Sequence, residues 1–219
     1  MKKTGVIFDL DGVIVDTAKY HYLAWKNLAD ELGIEFTEQD NERFKGVSRK
    51  RCLEILLEMG SIEASQEQID TWLKEKNEDY LSYITKMDES EILPDVPKVL
   101  KYLRENKIPM ALGSASKNAR PILEKVNLLS YFETLVDGNS VTKAKPDPEV
   151  FLIAAENLGV PPENCVVFED ALAGIEAANN AGMTSIGIGE PSVLTEAKFN
   201  FIDFTEINLD FLDKLISQE

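Results

Sequence analysis

The chain has one histidine, His21, and two cysteines, Cys52 and Cys165, among its 219 residues. Ligands that scarce and that far apart exclude a Cys/His metal centre. They also argue against a disulfide framework and for reduced thiols in a cytosolic, cytoplasmic protein. No apolar run approaches the roughly 18 residues of a membrane span. The N-terminal MKKTGVIFDL reaches its acids too soon to read as a signal peptide. Repeats, low-complexity tracts and Gly/Ser linkers are missing as well. Positive charge is short: 23 bases face 39 acids, a formal net charge of −16. Phosphate backbones and anionic bilayers repel such a chain, which disfavours nucleic acid and membrane as partners. Any anion site must therefore be a local cluster of Lys and Arg.

With 44% hydrophobic residues the chain can build a sizeable core. Its first strand, at residues 4 to 9, ends on acid: VIFDLDGVIVDT places Asp9 and Asp11 directly after Val6-Ile7-Phe8. Residues i and i+2 of an extended chain project to one side. Two carboxylates there repel, so a cation, either basic side chains or a metal, is expected beside them. After about residue 92 helices alternate with short β-rich runs, KIPMALG, FETLVDG, CVVFED and TSIGIG. That alternation predicts a parallel sheet with helices on both faces. The stretch between reads as helices alone, predicting an inserted helical domain: core 1–16 and 92–219, cap 17–91.

Two helices of the insert are explicit. One presents His21, Trp25, Leu28 and Leu32 on a single face and stops at Gly33. The other runs Ile69, Leu73, Lys76, Tyr80, Tyr83, Met87, with Lys76 interrupting an apolar stripe. By pattern alone His21 reads as a core histidine, whereas Lys76 either points into a cleft toward a ligand or lays its stem over the core. Between them FKGVSRKRC surrounds a glycine turn with positive charge. In the core, Asp147 is a candidate N-cap with Pro148 at the first helical position.

Ligands of open parallel sheets bind beyond the carboxyl ends of strands, where this chain gathers Asp9, Asp11, Ser114, Lys145, Glu169 and Asp170. Oxygen donors without imidazole or thiolate suit a hard cation such as Mg²⁺. Lys145, the Ser114 hydroxyl and nearby helix-terminal N–H groups suit a phosphoryl group. A carboxylate can attack phosphorus, and a second one two residues on can move the proton. Taken singly, each motif also reads as a helix cap or surface loop. Their occurrence together, each directly after a strand, is what points to a site.

FDLDGVIVDT, the serine after the second core strand, the lysine of KAKPDP, and FEDALAGIEAANNAGM resemble the four motifs of the haloacid dehalogenase superfamily. The resemblance implies a Rossmann-like α/β core, Asp9 as nucleophile, Asp11 as general acid/base, and Ser114 and Lys145 as phosphate ligands. It assigns Mg²⁺ to Asp9, the Asp11 backbone carbonyl, Glu169 and Asp170. Aspartate at the Asp11 position implies phosphoryl transfer rather than halide chemistry.

Within the insert, His21, KGVSR (45–49), Lys76-Asn77 and, from the core, SASKN (114–118) resemble the β-phosphoglucomutases. That family interconverts β-glucose 1-phosphate and glucose 6-phosphate through β-glucose 1,6-bisphosphate. The resemblance implies contacts to a small sugar phosphate from Thr17, Trp25, Lys45, Gly46, Val47, Arg49, Lys76, Ala115, Ser116, Lys117 and Asn118, and a catalytic role for His21 beside Asp11. Hinges are expected near Asp16-Thr17 and Ser90 to Leu93. Nothing in the sequence demands more than a monomer. A sugar-phosphate or phosphoglycolate phosphatase is the alternative within the fold, and a phospho-accepting signalling domain a distant one.

Overall fold

A computed structural model describes residues 4–217. In chain order the elements are β1 (Gly5–Phe8), α1 (Ala18–Glu31), α2 (Glu38–Glu42), α3 (Arg49–Gly60), α4 (Gln66–Ile84), α5 (Val96–Glu105), β2 (Met110–Gly113), α6 (Ala119–Lys125), β3 (Thr134–Val136), α7 (Glu149–Leu158), β4 (Cys165–Glu169), α8 (Leu172–Asn180), β5 (Thr184–Ile188), β6 (Phe199–Phe201) and α9 (Leu209–Ser217). The strands form one parallel sheet in the order β3-β2-β1-β4-β5-β6. Five of them are the β-rich runs of the sequence. The sixth, Phe-Asn-Phe at the sheet edge, was not expected from so short a segment.

Side-chain alternation explains why both faces are covered. Val6, Phe8, Leu112 and Phe168 enter one apolar cluster, and Ile7, Ala111 and Val167 enter another on the opposite face. On the first face Phe8 stacks on Phe168 at 5.0 Å, and Phe168 on Phe204 at 5.4 Å. Each such fully buried side chain contributes roughly 1.5–3 kcal/mol. Strand order reverses between β1 and β4, which opens a crevice at their carboxyl ends.

Between β1 and α5 the helices α1 to α4 hold a cluster of their own, built on Trp25, Phe36, Leu53 and Leu56. Gly33, at φ +71°, ends α1 as its pattern predicts. Ile34 N–H reaches Ala29 O at 2.8 Å and Gly33 N–H reaches Asp30 O at 3.1 Å, the paired bonds of a Schellman stop. The two crossings between insert and core are tied to each other. Asp16 N–H donates to Glu91 O (2.9 Å), and Leu93 N–H to Ile14 O (3.0 Å). One cap differs from expectation. Pro148 itself is the N-cap of α7, while Asp147 Oδ1 accepts the Glu149 N–H at 3.1 Å, so the helix starts one residue later. No helix among the described residues is long and apolar enough to cross a membrane.

Candidate active site

The crevice between β1 and β4 holds the charged centre. Asp9 extends the ladder one residue past β1 through its N–H to Phe168 O (2.9 Å), which fixes its side chain at the strand end. Its Oδ2 accepts the Asp11 N–H at 3.1 Å. The chain then turns at Gly12, φ +78°, where a methyl group would sit 2.1 Å from Asp170 Oδ2. Only glycine leaves room for that carboxylate. Glu169 is packed with similar economy: a methyl on Gly174 would lie 2.0 Å from its Cδ, and Oε1 accepts the Ala171 N–H at 3.1 Å.

The cation required by two adjacent acids is Lys145. Its buried Nζ donates to Asp9 Oδ1 at 2.6 Å and to Glu169 Oε2 at 2.7 Å. Burial opposes its charge, but Asp9 and Glu169 outweigh that and raise its pKa above the ordinary lysine value. One ammonium does not balance three carboxylates. Burial, partly offset by Lys145 and reinforced by Asp9, pushes Glu169 up to about 7, and burial with Glu169 and Asp9 holds Asp170 well above the carboxylate range. Carboxylate oxygens of Asp9, Glu169 and Asp170 all lie within 4.8 Å of one another. An all-oxygen set with excess negative charge, Asp9 and Glu169 buried and Asp170 half-buried, fits Mg²⁺.

Asp11 turns away from that cluster. Its Oδ1 accepts a hydrogen bond from the buried Thr17 hydroxyl, which docks it against the start of α1. Burial first, and the Asp9 charge second, push its pKa up to about 6. His21 Nε2 stands 3.9 Å from the same Oδ1. Its Nδ1 lies 3.0 Å from Lys76 Nζ, and its ring stacks 4.2 Å from Tyr80. Burial, Lys76 and Arg49 hold the imidazole well below its usual pKa, hence neutral. With the Lys76 donor on Nδ1, the ring proton is assigned to Nε2, on the side of Asp11.

Lys76 is 3% exposed and sits over the rings of Trp25 (4.7 Å) and Tyr80 (4.9 Å). It is therefore a buried cation, not a solvent-reaching one. Burial and the neighbouring Arg49 lower its pKa to about 7. The sign of the linkage follows: the folded protein resists this charge fully below pH 7, and the penalty fades as pH rises toward the unfolded value of 10.5. Lys76→Met is thus expected to stabilise the ligand-free protein by about 1–3 kcal/mol near pH 6, after allowing for lost cation–π contact. The gain should vanish by about pH 10. Urea unfolding at the two pH values checks it, and an unchanged or lower midpoint at pH 6 contradicts it.

Insert and core close over a cavity of about 100 Å³. From the core it is lined by Asp9, Asp11, Asp170 and the loop Ser114, Ala115, Ser116, Lys117 and Asn118. From the insert come His21, Trp25, Lys45, Gly46, Val47, Arg49 and Lys76. The loop is shaped by its own serines: Ser114 Oγ accepts the Ser116 N–H (3.1 Å), and Ser116 Oγ the Asn118 N–H (3.2 Å). Ser114 is therefore not a helix cap, since α6 begins five residues later without a side-chain cap. Two further contacts between the lobes lie at the cavity rim. A methyl on Gly46 would approach Ala171 Cβ to 2.8 Å, and Asn118 Nδ2 donates to Asn77 Oδ1 at 3.0 Å.

Three expected site residues stand behind the cavity wall: Lys145 and Glu169 beneath Asp9, and Thr17 beneath Asp11. Asn41, Phe44, Cys52 and Tyr80 line the cavity although the sequence did not single them out. Cys52 follows Arg49 by three, and Tyr80 follows Lys76 by four, so helical spacing could have found both. Asn41 and Phe44 carry no such signal. The thiol is inert, pushed up to about 12 by burial, with Sγ 3.7 Å from Val47 O.

The chain is similar to known proteins along most of its length. Residues 3–182 match the haloacid dehalogenase-like hydrolase family. The chain is 39% identical over 209 residues to the β-phosphoglucomutase of Bacillus subtilis, covering 94% of this chain and 92% of that one. It is 35% identical to a phosphorylated carbohydrates phosphatase of Thermotoga maritima, over 83% of this chain and 82% of the relative. The crystal structure of a β-phosphoglucomutase from Clostridium difficile superposes with a TM-score of 0.94 at 37% identity, over 99% of this chain and 98% of the other. The chain belongs to the haloacid dehalogenase-like hydrolase family, and within it to the branch that contains the β-phosphoglucomutases.

Proposed function

We propose that this protein is a Mg²⁺-dependent β-phosphoglucomutase, interconverting β-D-glucose 1-phosphate and D-glucose 6-phosphate through β-glucose 1,6-bisphosphate, the activator and intermediate. The observation that carries the reading is the cavity shared by two lobes. Core carboxylates Asp9 and Asp11 form one wall, and Arg49, with no carboxylate partner among the described residues, comes from the insert. A ligand phosphorylated at both ends matches such a site, since a guanidinium binds phosphate in bidentate fashion.

In this reading a carboxylate oxygen of Asp9 attacks the phosphorus of the bisphosphate. The bond from phosphorus to the sugar oxygen breaks, and Asp11 donates its proton to that oxygen. In the return step Asp11 takes a proton from the C6 hydroxyl of an incoming β-glucose 1-phosphate, which attacks the aspartyl phosphate, re-forms the bisphosphate and releases Asp9. An acid pushed up to about 6 suits both directions. Thr17 and the neutral His21 position Asp11, and Lys145 and Ser114 hold the phosphoryl oxygens. Mg²⁺, held by Asp9, the Asp11 carbonyl, Glu169 and Asp170, would supply charge to the phosphoryl group during transfer. Lys45, Gly46, Val47, Trp25 and Lys76 enclose the sugar, while Ala115, Ser116, Lys117 and Asn118 offer donors to the far phosphate. Core 1–16 with 92–219 and cap 17–91 are the two bodies that part to admit substrate, in a monomer acting in the cytoplasm. The two rim contacts exclude water from the aspartyl phosphate once the lobes meet, which favours transfer to sugar over hydrolysis.

³¹P NMR with Mg²⁺, β-glucose 1-phosphate and a trace of the bisphosphate tests this directly. Growth of glucose 6-phosphate with little inorganic phosphate is expected; inorganic phosphate alone would make the protein a sugar-phosphate phosphatase. Arg49→Ala should weaken bisphosphate binding by about 10² or more, the loss expected for a charge-assisted pair. Unchanged affinity would place the far phosphate elsewhere.

A further inference from the structure

On the other side of the Ser114–Lys117 loop lies a second, larger groove of about 500 Å³. Arg49, Lys50, Lys74, Lys117, Lys143 and Lys145 line it, and no acidic residue does so among the described residues. In a chain with 39 acids against 23 bases, a wall with six cations is a local concentration of positive charge. Besides Lys145, two of the cations have carboxylate neighbours, Lys74 with Glu78 at 3.7 Å and Lys143 with Asp147 at 3.2 Å. In both the lysine is exposed and the pair is (i, i+4), an arrangement that in water binds too weakly to cancel a lysine's charge. Lys145 spends its charge on Asp9 and Glu169. Arg49, Lys50 and Lys117 have no carboxylate partner among the described residues.

The groove adjoins the active-site cavity, with Arg49, Ser114, Ala115 and Lys117 common to both walls. Its size is that of a small-molecule site. The negative charge of the rest of the molecule repels long polyanions, whereas a single phosphomonoester can sit within the positive field of the groove.

We propose that this groove is a second anion subsite, at which Lys50, Lys74 and Lys143 hold the phosphate of a sugar phosphate on its way to or from the cavity. The inference rests on the function proposed above. Its cations come from α3, α4 and the loop before α7, so they surround a phosphate from three segments of chain. Arg49 and Lys117, common to both walls, would receive the phosphate when it moves inward.

The test is the triple variant Lys50→Gln, Lys74→Gln, Lys143→Gln in the full-length protein. With β-glucose 1-phosphate and Mg²⁺, kcat/KM at about 20 mM KCl should fall by roughly threefold to tenfold, and the two proteins should converge by about 300 mM as salt screens the groove. Parallel salt curves, or an effect under 1.5-fold (roughly the scatter between distant surface changes), would overturn the proposal. Inorganic phosphate, followed by ¹H–¹⁵N NMR, separates this inference from the catalytic one. Shifts at Lys74 and Lys143 in the parent and none in the variant support the subsite even if no glucose 6-phosphate forms. Mutase activity with Lys74 and Lys143 unmoved by phosphate sinks the subsite alone.

Discussion

Asp9→Asn is expected to abolish turnover, with a loss on the order of 10⁵ to 10⁶, as when an enzyme loses its covalent nucleophile. The amide is nearly isosteric with the carboxylate and keeps an oxygen for the Asp11 N–H, now 3.1 Å from Oδ2. The loss therefore reports chemistry rather than a collapsed strand end. Stability should fall only in part, because the amide nitrogen now faces Lys145 Nζ, which donated to Oδ1 at 2.6 Å, while Lys145 retains Glu169 at 2.7 Å and one of three crowded carboxylates becomes neutral. Acid-quenched labelling with phosphorylated substrate, alongside urea unfolding, measures both. A phosphoenzyme that persists in the variant would move the nucleophile to another carboxylate.

Lys145→Ala should do the opposite to stability. Removing the ammonium leaves Asp9 and Glu169 buried without their shared counter-charge, and breaking such a buried pair costs about 3–5 kcal/mol. The raised lysine pKa means this contribution is complete below the unfolded value of 10.5, so neutral pH shows it in full. Activity should fall as well, by at least about 10², through loss of a phosphoryl oxygen partner. Two controls separate charge from shape. Adding Asp9→Asn to Lys145→Ala should recover part of the stability, and millimolar Mg²⁺ should raise the variant's midpoint more than the parent's. A loss under about 1 kcal/mol, insensitive to both, would mean that Lys145 is not the counter-ion.

Much of the candidate site was legible because ionisable groups at strand ends break a rule that buried segments otherwise obey. Asp9, Asp11, Glu169 and Asp170 each follow an apolar run at once, and such breaks stand out locally. Lys76 and His21 were visible as interruptions of an apolar stripe, though the stripe left open whether they cap the core or face a ligand. The structure shows that they pair with each other, at 3.0 Å. Asn41 and Phe44 were not legible, since neither breaks a local pattern and both reach the cavity only through the packing of the insert. Strand β6 escaped for a similar reason: three residues carry almost no periodicity, and pairing with β5 is what makes them a strand.

By itself the sequence determined the parallel sheet, the helical insert, the acidic strand ends and their need for a cation, because periodicity and charge act over a few neighbouring residues. Tertiary structure alone decided that Lys145, 136 residues from Asp9, supplies that cation, that Asp11 leans on Thr17 rather than joining the acidic cluster, and that six cations scattered over two lobes line one groove. Those outcomes depend on distances across the fold. A local pattern carries no information about such distances, and electrostatic energies depend on little else.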